Sequence, residues 1–306
     1  GERRVHTMPR RFLSKIHATT ATALVLAVVL SSVVLASDAP KERTQPRPAA
    51  PMPFVPSEEL VYEGEFTKML LRGINIAELR FKAQRTAPAA VAAEGQEAAP
   101  ASLVLTTDVV SKGFFPKVFG MSFKFHAESQ VEPNDFYAMR TTKKDEQGKR
   151  VRTSEAVFDQ QAGKVEYTER DPNNTQDAPR VITAALSGPT QDIVSAIYFL
   201  RTQSLTPGQT FNIAVSDSGR TFQVPATVVA EKKKMKSVLG KVEVVRVDVE
   251  LFGPGRPMEE GKGKMSIWVT SDERHVPVKA RLSHDIGTLD ITLKSIQREE
   301  PQVAQR

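Results

Sequence analysis

"TQDIVSAIYFLRTQ", residues 190–203, is the one strongly helical passage in a chain that otherwise reads as strands and turns. At about 100° per residue, Ile193, Ala196, Ile197 and Leu200 fall on one side, Val194, Tyr198 and Phe199 spread round most of the rest, and Gln191, Ser195 and Thr202 leave only a polar wedge. A helix that is apolar nearly all round has to be buried nearly all round. A short one in a β protein finds that environment in the hollow of a bent sheet, so residues of about 190–202 are expected to form a core plug. Asp192 in the first turn and Arg201 in the last complement the helix dipole. They project to opposite sides, so they are not each other's ion pair.

Outward from this segment the period changes from 3.6 to two. "LVYEGEF", "INIAELRFKA" and "SLVLTTDVV" read as strands upstream, and "TLDITLKSI" closes the chain with Leu289, Ile291 and Leu293 on one face. "EAVFDQQAGKVEYTE" has the form of a hairpin with Gly163 in its turn, and "FNIAVSDSGRTFQV" repeats the device with Asp217, Ser218 and Gly219. "GKMSIWVTSDERHVPVKARL" supplies Met265, Ile267 and Val269, then Val276, Val278, Ala280 and Leu282 after a turn. In "KVEVVRVDVEL" the apolar phase slips between Val244 and Val245, as a β-bulge there requires, and bulges bend sheets. The expected fold is mainly β: a curved antiparallel sheet or incomplete β-barrel around one short buried helix. No fixed-period repeat suggests a propeller or solenoid.

The ends of the chain have a different composition. Bases after Met8, an apolar run from Ala21 to Leu35 and small residues at Val34 and Ala36 have the three parts of an export signal, so residues 1–36 read as a signal peptide. An uncleaved inner-membrane anchor is the alternative, since the uncharged run from Ile16 to Ser37 is long enough to span a bilayer. Residues 37–57 contain six prolines and read as a solvated linker, 58–298 as one antiparallel β domain, and 299–306 as a polar tail. "TAPAAVAAEGQEAAPA", residues 86–101, is a low-complexity surface loop between strands. The periplasm is the expected compartment.

The formal charge of +6 points at first to a nucleic-acid or membrane-surface partner. Residues 1–36, however, hold five of the 42 bases and one of the 36 acids, which leaves 37 bases against 35 acids in the remainder. No nucleic-acid partner is expected of so nearly neutral a chain, and membrane contact is expected only through an uncleaved leader. The absence of cysteine excludes disulfides, thiolate metal sites and a cysteine nucleophile.

The blocks "GINIAELRF", "AVFDQQAGKVEY", "TQDIVSAIYFLRTQSLTPGQTF" and "GKGKMSIWVTSDERHVPVKARL" resemble the bacterial exported family catalogued as domain of unknown function 3108, over roughly Leu60 to Ile296. Asp192, Ser195, Ala196, Tyr198 and Arg201 match its helix block, and Trp268, Asp272, Pro277 and Val278 its downstream block. The resemblance implies a cell-envelope β fold and no particular chemistry.

Catalytic machinery is sparse. No glycine-flanked serine elbow, phosphate-cradling loop or dinucleotide fingerprint occurs. His126, His275 and His284 lack metal-ligand spacing, so neither a metal nor another cofactor is expected. Asp192 is the single nameable carboxylate for glycan hydrolysis, and helix capping explains it as well. "GFFPKVFGMSFKF", residues 113–125, holds five of the fifteen phenylalanines. Phe114, Phe115, Val118 and Phe119, with Tyr198, are candidates to contact a lipid or lipid-linked ligand, against the reading that they fold over the core. "EKKKMK", residues 231–236, is either a contact for anionic lipid or cell-wall polymer or a solvated hairpin end. The expected protein is thus a non-enzymatic envelope component that binds something apolar or takes part in envelope assembly. A carboxylate-dependent glycan hydrolase and a partner-binding scaffold are the alternatives.

Overall fold

A computed structural model describes residues 52–54, 57–69, 71–86, 102–113, 115–116 and 120–298. Residues 1–36, expected to be a signal peptide, most of the Pro-rich stretch, the low-complexity residues 87–101 and residues 299–306 lie outside the described residues. Fourteen strands run as β1 (Glu58–Lys68), β2 (Leu71–Thr86), β3 (Ser102–Ser111), β4 (Phe123–Glu132), β5 (Tyr137–Gln147), β6 (Arg150–Asp159), β7 (Lys164–Arg170), β8 (Arg180–Ala185), β9 (Thr210–Asp217), β10 (Arg220–Ser237), β11 (Gly240–Val249), β12 (Gly263–Thr270), β13 (Pro277–His284) and β14 (Gly287–Gln297). Helix α1 (Ile193–Thr202) stands between β8 and β9.

All fourteen strands form one antiparallel sheet in the order β8-β7-β6-β5-β4-β3-β2-β1-β14-β13-β12-β11-β10-β9. The first and last strands pair in the middle, while β8 and β9, consecutive in the chain, are the two outer edges. The segment joining them therefore runs from one edge to the other. The sheet rolls until its edges approach, and α1 occupies that crossing.

No ladder joins β8 to β9, and the seam is stitched by other means. Gln191 bridges to β9 through its backbone, its N–H donating to the Ala214 carbonyl at 2.8 Å and its carbonyl accepting from Ser216 N–H at 2.7 Å. Gln223 donates to the Ser187 hydroxyl at 2.9 Å, and Lys143 of β5 forms an ion pair with Asp217 at the end of β9. The two-residue turn after β9 places Ser218 and Gly219 at φ of 50° and 77°, the left-handed conformations that its sequence requires.

Period-two alternation sends Leu60, Tyr62 and Phe66 of β1, Leu103 and Leu105 of β3, Phe123 and Phe125 of β4, and Leu289 and Leu293 of β14 into the interior. Register shifts between β1 and β14, β1 and β2, β4 and β5, β10 and β11, and β12 and β13 supply the bending. The shift expected inside β11 is a correction. β11 alternates without interruption, and the irregularity lies on β10, where residues 229–231 stand opposite Arg246 alone. Val244 and Val245 point to opposite faces and are both buried, so the apparent slip in the sequence is two covered faces of one strand.

Helix α1 is held between two walls. Val194 and Tyr198 join the larger core with β1–β4, β13 and β14, while Leu200 joins Ile213, Val215, Phe222 and Val224 of β9 and β10. The deepest positions are Val194, Ser195, Tyr198, Leu200 and Arg201, whereas Ile193, Ala196 and Ile197 of the expected stripe are only partly buried. A stripe marks one buried side, but a plug is enclosed on several sides, and its polar residues go deepest where fixed partners await them.

Candidate functional site

The two ends of α1 carry the most deeply buried polar groups. Asp192 is the N-cap: its carboxylate accepts the Ser195 N–H at 2.8 Å, and its own N–H donates to the Ser195 hydroxyl at 3.0 Å, a reciprocal capping box. The second carboxylate oxygen accepts hydroxyls from Ser129 on β4 and Thr141 on β5. Asp192 is 1% exposed and both oxygens are engaged, so the residue singled out as a catalytic carboxylate is a structural cap that ties the helix to the sheet wall.

At the other end Arg201 is also 1% exposed. Its guanidinium donates to the carboxylate of Glu58 at 2.5 and 3.3 Å and to the Arg274 carbonyl at 3.1 Å, and it lies over the rings of Phe54 and Tyr198 at 5.0 and 5.7 Å. Arg298 adds a second guanidinium to Glu58 at 3.0 Å, and His275 Nδ1 lies 2.7 Å from the Arg201 carbonyl. Tyr62 donates to the Pro277 carbonyl at 2.8 Å. The Tyr198 hydroxyl, completely buried, has no hydrogen-bond partner among the described residues. Burial pushes both tyrosines well above the ordinary phenol range. Phe54, in the stretch read as solvated linker, is a further correction: it is buried and packs edge-to-face on Tyr198 at 5.0 Å. The Pro-rich composition hid one aromatic that the core needs.

The phenylalanine-rich segment is divided. Phe115 is fully buried, with its ring edge-to-face on Phe123 at 4.9 Å, so it belongs to the core and not to a solvent-facing lip. Phe114, Val118 and Phe119 lie outside the described residues. Tyr198 faces Phe54 and Arg201 in the interior.

Small clefts occur on both faces of the sheet among the described residues. One, of about 20 Å³, sits on the concave side of β5–β7 among Lys143, Asp145, Arg150, Arg152, Tyr167 and Glu169. That is room for about one water molecule. Lys143 is pushed down by burial but held above its ordinary value by the stronger combined pull of Asp217 and its neighbours. Burial raises Asp145, although Arg150 and Gln147 donate to one of its oxygens at 3.0 and 2.7 Å; the other is buried without a partner among the described residues. Sequence reading missed this group because "RTTKKDEQ" looks like solvent-facing strand. The available signal was Thr141, Lys143 and Asp145 at spacing two. The second cleft, of about 110 Å³, opens on the outer face beside the β10 bulge, lined by Val229, Glu231, Lys233, Val244, Arg246 and Trp268. His126, His275 and His284 do not converge, and no group of three metal-ligating side chains occurs among the described residues.

The chain matches the family described as "Protein of unknown function (DUF3108)" over residues 66–294, and it belongs to that family. Its fold is similar to that of a beta-barrel-like protein of domain of unknown function DUF1849 from Brucella abortus, at 9% identity and a TM-score of 0.53, covering 80% of this chain and 98% of that one. At that identity the likeness shows the fold alone. No protein of curated function shows significant sequence similarity to the chain. Asp192 and Ser195 at one end and Tyr198 and Arg201 at the other lock α1 inside the sheet.

Proposed function

We propose that this protein is an exported, non-enzymatic component of the bacterial cell envelope that acts in envelope assembly through its outer surface, its hollow being closed by its own helix. The observation that carries the reading is the placement of α1. Asp192 and Arg201 are engaged by Ser129, Thr141 and Glu58, and Tyr198 and Leu200 fill the space between the walls. Chambers for small ligands usually measure about 300–1,000 Å³. The clefts described above, near 20 and 110 Å³, are below that size, and α1 packs into both core clusters between the walls, which favours a surface role over carriage of a lipid inside the barrel. The leader of residues 1–36 supports export.

Two measurements test the reading. Fractionation of host cells expressing the full chain is expected to recover it outside the cytoplasm, and cytoplasmic recovery would refute export. Native mass spectrometry of the protein from its own host is expected to give a bare polypeptide mass in high salt. A stoichiometric lipid retained under those conditions would refute the closed interior.

A further inference from the structure

We propose that the β10–β11 hairpin is a docking surface for an anionic lipid bilayer. The inference rests on the envelope reading for where such a surface is met, and adds the part of the molecule that meets it. Beyond the bulge, Lys232 to Ser237 pair with Gly240 to Val245, and residues 231–243 hold five lysines against Glu231 and Glu243. The remainder of the chain outside the leader is nearly neutral, so this is a local concentration of charge.

Ladder partners share a face and successive residues alternate. Met235 and Val242 therefore share one face, and with Leu239 they pack against the core cluster, which anchors the hairpin. Lys232, Lys234, Lys236 and Lys241 share the other. Glu243 answers Lys232, at 3.1 Å. Lys236 and Lys241 are exposed, stand directly opposite one another and make no ion pair among the described residues. Like charges in that position destabilise a hairpin, and an anionic surface relieves the repulsion.

The tip adds an apolar element. The turn needs only Gly240, at φ 87°, to close, yet its two loop residues are Val238 and Leu239, and Val238 is 49% exposed. A valine flanked by Lys236 and Lys241 at the end of a two-stranded projection suits shallow insertion beneath phosphate headgroups. The position in the fold agrees. Glu58 bonds Arg201, Arg201 bonds the Arg274 carbonyl in the β12–β13 turn, and Ser271 of that turn bonds the Glu243 carbonyl at 3.0 Å. The chain thus enters the domain from its N-terminal stretch at the same end as the hairpin.

The natural chain lacks cysteine, so Val238→Cys in the full chain gives a single site for an environment-sensitive dye. With vesicles containing 30% phosphatidylglycerol in phosphatidylcholine, the dye emission is expected to shift to the blue at low salt. The shift is expected to vanish in pure phosphatidylcholine and at high salt. A dye at Met69→Cys, in the β1–β2 turn and 83% exposed, is expected not to shift. Adding Lys232→Gln, Lys234→Gln and Lys236→Gln to the Val238→Cys chain should weaken vesicle affinity about a hundredfold, on the usual contribution of a lysine near an anionic surface. The same charge change at Lys124, Lys144 and Lys149 should leave it within about threefold, on the screening of distant charges. No shift with anionic vesicles, an equal shift with neutral ones, a shift at Met69 as large as at Val238, or equal loss from both triple variants overturns the proposal. These readouts are local to the hairpin, so they stand or fall separately from fractionation and from the interior mass measurement.

Discussion

The guanidinium of Arg201, in the last turn of α1, meets the carboxylate of Glu58, the first residue of β1, at 2.5 Å, with both side chains at most 1% exposed. The pair joins positions 143 residues apart in sequence, and Arg298 from the end of β14 binds the same carboxylate. One acid thereby fastens the helix to the strands with which the domain begins and ends.

Breaking this pair should therefore be costly. Removing one partner of a buried pair commonly costs about 3–5 kcal/mol, because the other charge is left uncompensated. Arg201→Met is expected to fall in that range by urea unfolding, and Glu58→Gln to cost at least as much, since it deprives two guanidinium groups. The double variant Glu58→Leu with Arg201→Met should be more stable than the sum of the single losses predicts. Strict additivity would mean that the two groups are not energetically coupled.

Asp192 separates a capping role from a catalytic one. Asp192→Ala removes a cap and the acceptor of two buried hydroxyls, and should cost about 2–4 kcal/mol, while Asp192→Asn, which still caps, should cost less. Adding Ser129→Ala and Thr141→Val to Asp192→Ala should recover part of the loss, because the orphaned hydroxyls go too. Thermal unfolding of the four proteins checks the order. Unchanged stability in Asp192→Ala would contradict the cap.

Gly219 sits where the β9–β10 turn touches β8. A Cβ there would lie 2.7 Å from the Cβ of Ile182, at a φ of 77° that other residues rarely adopt. Gly219→Ala should push the edges apart at the seam, with faster amide exchange in β7, β8 and residues 186–192 and little change in β1 and β14. Ile182→Ala in the same background should restore part of the protection, since it removes the Cγ2 and Cδ1 atoms at 2.8 and 3.2 Å but keeps the Cβ at 2.7 Å.

Asp145 predicts a pH dependence. Burial raises its folded pKa above the unfolded value, so the folded state binds the proton more tightly. Its contribution to stability is complete below the ordinary aspartate pKa of about 3.9 and is lost as pH rises through the folded value. Asp145→Asn should therefore stabilise relative to the parent at neutral pH, the advantage shrinking to nothing as pH falls below that range. Melting temperatures across pH 3–8 provide the measurement, and an advantage that grows on acidification would reverse the assigned cause.

Local pattern was a sound guide where burial is one-sided. Hairpins at Gly163 and at Ser218-Gly219 could be read because turn chemistry is set by the residues in the turn, and the antiparallel sheet followed from period-two alternation between short connections. The pattern misled at Val244 and Val245, where both faces of β11 are covered, and at Phe54, where a core aromatic lies within proline-rich sequence. Lys143 and Asp145 were illegible for a related reason. A charged residue on a strand signals solvent unless its partner is known, and Asp217, the partner of Lys143, arrives from the opposite edge of the sheet.

The sequence by itself determined that the chain is mainly β, that the helical segment of residues 190–203 must be enclosed, and that cysteine chemistry is absent, because these follow from residue identity and short-range periodicity. Only the tertiary structure decided that β8 and β9 form opposite edges, that α1 crosses between them, and that Asp192, Arg201 and Glu58 hold it there. The physical reason is that a buried charge is tolerable only beside its partner. For Arg201 that partner is 143 residues away, a distance across which no local periodicity carries information.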